Sequence, residues 1–397
     1  MPRPAKGARL YLDPKRREWV IRDVGEVFER TGCSEPDRER AEKRLGEYIA
    51  EKFKPVTREG NLSSLSIAEV LTAYGREYAP HKKSAERSGY ALAALLTFWG
   101  PPKTLADVRG ETCRAYARLR GKTVVRGTTV QAGTIRRELA ELSKAINHWH
   151  KEHGPLASVP EVTMPDVPPP RDRWLTRTEA AMHLAGALGF YREMWCDVST
   201  RREHFRWCRN QFAINRHLAR FILLGLYTGS RRAAICNVQW MTNTGGGWID
   251  LNRGVMHRRG EGATETNKRQ PPVRLGRRIS AHLSRWKRID DTARAEASEE
   301  AGEPVASHLH VVHYMGRGVA SVRTAWEMAI DNAWLQPEVT GQSPITPHVL
   351  RHTRATWMMF AGIDIWEAAG ALGMSAKTLE KVYGHHHVDF QKNAAEV

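Results

Sequence analysis

The stretch ITPHVLRHTRATWMMFAGI, residues 345–363, decides how this chain is read. Thr346 is predicted to cap a helix whose first position is Pro347, a residue lacking the amide hydrogen that the first turn leaves unbonded anyway. His348, Arg351 and His352 then fall at i, i+3 and i+4, on one face beside the positive end of the helix dipole. Such a face suits an oxyanion or a phosphate. A metal held by His348 and His352 is the competing reading, but the intervening glutamate of metalloprotease helices is missing and no third ligand is evident, so no metal is expected.

Three further segments of the C-terminal half carry chemistry. FILLGLYTGSRRAAICNVQW, residues 221–240, is an apolar helix broken at Thr228-Gly229-Ser230, which delivers Arg231 and Arg232 to a surface. GGGWIDLNRGVMHRRGEGATETNKRQPPVRL, residues 245–275, has short apolar stretches separated by Gly, Asn and charge, and reads as a small antiparallel sheet with a turn at Lys268-Arg269. IWEAAGALGMSAKTLEKVYGHHHVDF, residues 365–390, ends one helix at Gly373, caps the next with Ser375 and places Tyr383 at that helix's end. The histidines 385–387 form a local run with poor geometry for a metal and read as a polar helix end.

Upstream, the chain divides by composition. Residues 155–173 carry Pro160, Pro165 and Pro168-Pro169-Pro170 and are expected to form an extended linker, after which Thr176-Arg-Thr-Glu179 makes a capping box for a third unit, 174–397. Residues 61–154 read as four or five amphipathic helices, opened by Ser66 and closing on TIRRELAELSKAINHWHKEHG, whose Arg136, Arg137 and Lys144 could face phosphates. Residues 1–60 form a basic appendage: RLYLDPKRREWVIR, residues 9–22, is a hairpin about an Asp-Pro turn, and EPDRERAEKRLGEYIAEKF, residues 35–53, a helix covering it. The fold class is mainly α with a small antiparallel β-sheet.

Composition agrees with a polyanionic partner. Among 397 residues, 61 Lys and Arg against 44 Asp and Glu give a net charge of +17, which suits nucleic acid better than a neutral metabolite. The five cysteines are scattered without a Cys-x-x-Cys pair, so neither a disulfide framework nor a zinc ribbon is expected. With no apolar run of membrane-spanning length and no secretory leader in MPRPAKGARL, a cytoplasmic, nucleoid-associated protein is expected and no membrane partner.

Taken in order, Thr-Gly-x-Arg, a hairpin lysine, His-x-x-Arg-His-Thr and Leu-Gly-x-Ser followed by a tyrosine resemble the catalytic domain of the tyrosine site-specific recombinases of the phage-integrase type. The likeness covers residues 172–390. The helical unit before it resembles that family's core-binding domain, and the appendage is similar in placement to arm-binding domains. The resemblance implies a clamp around duplex DNA and strand breakage and rejoining through a 3′-phosphotyrosyl link, integrating or excising a phage or mobile element. It implies Tyr383 as nucleophile, Arg231 and Arg351 with His348 on the scissile phosphate, Lys268 as general acid and His352 as a supporting partner. Attachment-site DNA, a tetramer on paired sites with the tail VDFQKNAAEV docked on a neighbour, and an excision factor or bending protein are the implied partners; no cofactor is. Two positions depart from the pattern: Met374 stands where the family usually has His or Trp, leaving a contact for another group such as His385 to supply, and Ala234 stands where an acid is common. The alternatives are a catalytically impaired DNA-binding regulator, a type IB topoisomerase-like enzyme and a non-enzymatic transcription factor.

Overall fold

The computed structural model describes residues 7–23, 28–52, 62–82, 84–125, 127–168, 172–197, 202–263, 269–390 and 392. The chain separates into two compact units, residues 1–169 and 170–397. Small antiparallel sheets accompany a mainly helical structure, and no helix among the described residues is long and apolar enough to cross a membrane.

The first unit opens with β1 (Arg9–Asp13), β2 (Glu18–Arg22) and β3 (Phe28–Ser34), in the order β1-β2-β3, followed by α1 (Arg38–Lys52). The expected hairpin pairs Leu10 with Ile21 and Leu12 with Trp19. A third strand was not expected. It pairs because the register shifts between Trp19 and Val20 and Gly32 takes up a φ of 68°, absorbing the irregularity. Val20, Ile21, Cys33 and Ala41 are buried.

Four helices follow: α2 (Ile67–Glu77), α3 (Ala85–Trp99), α4 (Gly110–Lys122) and, after the short ribbon β4 (Val124–Val125) and β5 (Thr128–Thr129), α5 (Ala132–Glu152). Ser66 Oγ caps α2 by accepting the Ala68 amide at 3.2 Å. Ile67, Leu71, Leu95, Trp99, Leu139 and Ile146 form the core. Inside it, buried Glu138 accepts the Tyr116 hydroxyl at 2.7 Å and both faces of the Arg120 fork. Of the three basic residues expected to face phosphates on α5, Arg136 donates to the Pro165 carbonyl and Lys144 pairs with Glu141 at 2.6 Å, while Arg137 is exposed. The proline-rich segment 155–168 has no regular secondary structure, and Leu156 and Val162 pack into this core.

The second unit begins with α6 (Arg177–Ala187), whose Thr176–Glu179 capping box forms in both directions. A hairpin follows, β6 (Phe190–Asp197) and β7 (Arg202–Arg209), then α7 (Arg216–Thr228) and α8 (Arg232–Cys236). The expected small sheet comprises β8 (Trp248–Asp250), β9 (Val255–His257) and β10 (Val273–Arg274), in the order β10-β9-β8. After α9 (Arg277–Ala301) and the ribbon β11 (His313–Tyr314) and β12 (Arg317–Gly318) come α10 (Arg323–Ala333), α11 (Pro337–Thr340), α12 (Val349–Phe360), α13 (Ile365–Leu372) and α14 (Ala376–Tyr383).

Helix α7 is the axis of this unit. Leu218, Phe221, Ile222 and Leu224 are fully buried, and Gly225 lies so close to Leu350 that a Cβ there would meet Leu350 Cδ1 at 2.5 Å. On its far side Arg220 reaches Asp290 of α9 with both nitrogens, at 2.6 and 2.8 Å, and Trp240 Nε1 donates to the same carboxylate at 2.9 Å. Burial alone would raise the Asp290 carboxyl, but the hydrogen bonds from His313 and Arg220 hold it down at about 2.

His183, on α6 against the Trp326 ring, is wholly buried, and burial lowers its pKa to about 4. Folded-state neutrality carries a pH cost: below 6.5 the unfolded chain binds a proton that the folded chain refuses until about pH 4. Stability from this group is therefore complete above 6.5 and lost as pH falls towards 4, by about 3 kcal/mol at most. Comparing the pH dependence of unfolding between the parent and His183→Phe checks this; identical slopes between pH 4 and 6.5 would refute it.

Candidate active site

Local sequence sets each functional side chain. Helix α7 stops at Gly229, which takes the left-handed conformation at φ 62°; a Cβ there would meet Leu372 Cδ2 at 2.4 Å. The chain then turns so that Arg231 stands at the cap of α8, half-buried, with its Nη1 donating to the Arg269 carbonyl at 2.8 Å. Helix α12 begins at Val349, two residues later than the sequence suggested: Thr346 and Pro347 form a turn in which the Thr346 carbonyl accepts the Val349 amide at 2.8 Å, and His348 takes the cap position. His348 is already helical in conformation, φ −71° and ψ −24°, so the later start lies in which amide makes the first regular bond, a difference within the ordinary latitude of a helix end.

His348, Arg351 and His352 nevertheless share the expected face. Arg351 is buried at 5 % exposure and donates through Nη1 to the Gly229 carbonyl at 2.9 Å. The rings of His348 and His352 meet edge to face, 4.8 Å between centroids. Helix α13 ends at Gly373, φ 65°, where a Cβ would strike Pro271 Cδ at 2.6 Å; Ser375 Oγ then caps α14 on the Thr378 amide, and Tyr383 closes that helix. Its hydroxyl lies 2.6 Å from His352 Nδ1. Arg231, His348, Arg351, His352, Met374 and Tyr383 line one open cavity of about 1190 Å³.

The electrostatics of the cavity are those of a site awaiting negative charge. Burial, and then the neighbouring Arg231, lower Arg351 to about 10. Burial, His352 and the two arginines bring His348 down to about 4, so it is a neutral hydrogen-bonding imidazole at physiological pH. His352 is lowered too, by burial first and Arg351 second. Tyr383 is raised to about 12, with burial outweighing the pull of Arg351.

No family profile and no curated protein matches this sequence. Solved structures do match it. The Tn1549 transposon integrase in complex with transposon right end DNA superposes with a TM-score of 0.56 at 14% identity, over 84% of this chain and 98% of that one. A lambda integrase dimer bound to a COC′ core site gives a TM-score of 0.52 at 16% identity, over 96% of each chain. The chain has the tyrosine-recombinase fold.

Against that fold, the sequence reading of the cavity divides. Arg231, His348, Arg351, His352 and Tyr383 are brought together, and Met374 joins them with a thioether that donates no hydrogen bond. His385 lies outside the cavity's lining, and Ala234 is on the buried face of α8. Lys268 falls outside the described residues, as does most of the tail beyond Phe390. One residue of this tyrosine-recombinase fold was missed altogether: Arg258, buried at 5 % exposure directly after β9, its pKa lowered to about 9 by burial first and then by the neighbouring Arg351 and Arg231. The sequence signal was faint, a basic pair in a glycine-rich turn.

Proposed function

We propose that this chain is a site-specific DNA recombinase acting through a 3′-phosphotyrosyl intermediate. The observation that carries the reading is the Tyr383 hydroxyl 2.6 Å from a neutral His352 Nδ1, in the cavity that also holds Arg231 and Arg351. A tyrosine raised to about 12 does not ionise by itself near neutrality, so it needs a base within hydrogen-bond reach. His352, kept neutral by burial and Arg351, is that base.

In the proposed step the Tyr383 oxygen bonds to the scissile phosphorus while its proton passes to His352 Nδ1. The bond from phosphorus to the 5′ oxygen breaks, and that oxygen takes a proton from a general acid, the role proposed for Lys268. Charge on the non-bridging oxygens grows at the transition state, where the guanidinium forks of Arg231 and Arg351 match it and His348 adds a donor. The phosphotyrosyl ester conserves the energy of the phosphodiester, so no nucleotide is consumed, and the arginines supply the positive charge for which other phosphoryl-transfer enzymes use a metal ion. Attack by a 5′-hydroxyl from another duplex reverses the step and rejoins the strands. A complete exchange uses four such tyrosines, each regenerated on rejoining, which implies four protomers on paired duplex sites. That both solved relatives were captured on DNA supports duplex DNA as the partner here, and integration or excision of a mobile element as the setting.

The test uses nicked duplexes carrying a candidate attachment site, incubated in EDTA and run on a denaturing gel. A protein-linked DNA band is expected; tight binding without a band, on a site that recombines in cells, favours a DNA-binding regulator instead.

The same geometry fixes a pH dependence. His352 must be neutral to accept the proton, and its pKa lies below the ordinary 6.5. The acid limb of the single-turnover cleavage rate is therefore expected to be centred below pH 6.5; a limb centred above 6.5 would exclude His352 as the base.

A further inference from the structure

Arg258 is charged, buried and without a carboxylate partner among the described residues. Its donors are taken instead by neutral acceptors: Nε by Ser230 Oγ at 2.8 Å, Nη1 by the Pro271 carbonyl at 3.1 Å, and Nη2 by the Thr228 and Ala371 carbonyls, each at 2.8 Å. Desolvation alone makes such a cation costly, and two more guanidiniums stand nearby. A buried charge in this setting calls for a reason beyond packing.

The four acceptors belong to three segments that each carry part of the proposed reaction. Thr228 and Ser230 flank Gly229, whose carbonyl takes the Arg351 fork, and lead directly into Arg231. Pro271 lies two residues after Arg269, whose carbonyl takes the Arg231 fork. Ala371 lies in the last turn of α13, two residues before Gly373, which itself packs against Pro271 and the Arg269 carbonyl ahead of the nucleophile's helix. One planar guanidinium thus spans the loop that aims Arg231, the strand approach that holds it, and the helix end that sets α14.

We infer that Arg258 is a positioning residue that fixes the phosphate-binding arginines in register with the tyrosine-bearing helix pair. The inference rests on the phosphoryl-transfer reading of the cavity. Phosphate is touched by Arg231 and Arg351, and Arg258 acts through them. The rigid fork is what matters, since a lysine keeps the charge and cannot reach four acceptors in three directions. Misplacing a reacting group by about an ångström costs on the order of a hundredfold in rate.

The test combines a cleavage rate, site affinity and a readout independent of cleavage. Arg258→Lys is expected to form the covalent adduct about a hundredfold more slowly than the parent, with the salt slope of site-DNA binding unchanged, because Arg258 itself touches no phosphate. Inorganic phosphate binding, followed by calorimetry, is expected to weaken at least tenfold as the Arg231 and Arg351 forks lose their alignment. A variant that cleaves at the parental rate overturns the inference, and so does a rate loss matched by a shallower salt slope, which would make Arg258 a direct phosphate ligand. If Arg258→Lys does not fold, Ser230→Ala removes the Nε contact, together with the Thr228–Ser230 hydroxyl bond, and is expected to slow cleavage several-fold at an unchanged salt slope; full activity there counts against the role. A parent that forms no adduct sinks the functional reading but leaves the phosphate arm decisive: equal phosphate affinity in parent and Arg258→Lys, or none in either, overturns the positioning role.

Discussion

Tyr383→Phe will bind site DNA as the parent does and leave no covalent adduct. The substitution removes one oxygen from a ring that is otherwise packed among Leu379, Met359 and Leu372 in a small satellite core, so the fold is kept. The hydroxyl's hydrogen bond goes to His352, a side chain that lines the open cavity and can turn to water. The expected fall in strand cleavage is to background, at least about 10⁴-fold, because no other nucleophile takes the place of a lost one in covalent catalysis. Single-turnover cleavage beside a binding titration checks it. Residual adduct above a hundredth of the parental level would move the nucleophile elsewhere.

Arg351→Ala is expected to cost nearly as much in rate and also to cost stability. The guanidinium does two things: its fork faces the cavity, and its Nη1 holds the Gly229 carbonyl at the turn that delivers Arg231. Removing one preorganised donor to developing charge slows phosphoryl or acyl transfer by about 10²–10³-fold. Loosening Arg231 multiplies that loss, so the combined drop is at least about 10³-fold. The buried carbonyl left unpaired costs about 1–3 kcal/mol. Thermal unfolding and cleavage measured together separate the two effects. Arg351→Lys, which keeps the charge without the fork, is expected to recover solubility and Tm more than rate. Equal recovery of both would show that charge alone suffices.

Much of this was legible in the sequence, for identifiable reasons. Helix ends write themselves in side chains: Gly229, Gly373, Ser375 and the Thr176–Glu179 box all act where their chemistry places them. The spacing of His348, Arg351 and His352 survived a start of α12 that shifted by two residues, since a face depends on intervals and not on where the ladder begins. What the sequence concealed was long-range. Nothing in HRRGEG says that Arg258 is buried while Arg259 beside it belongs to a different environment; only contacts with Thr228, Pro271 and Ala371 make it so. The hairpin β6–β7 gave no clean alternation because neither face is sealed: Trp195 and Trp207 are each 47 % exposed, with Arg192 over the Phe205 and Trp207 rings. The place of His352 changed most, from a supporting neighbour to the group hydrogen-bonded to the Tyr383 hydroxyl, a relation set by how α14 packs on α12.

The contact between Tyr383 and His352 lies within a single chain. On the proposed mechanism each protomer brings Tyr383, His352 and both arginines from one chain, and is expected to cut in cis, the strand it holds being the strand its own tyrosine joins. Two crippled subunits cannot then lend each other parts. An assembly mixing Tyr383→Phe with Arg351→Ala protomers would regain no cleavage, whereas an enzyme that donated its tyrosine to a neighbour would recover a share of it. If cleavage is in cis, exchange between duplexes rests on when each protomer fires, and the order of firing becomes a property of the contacts among them.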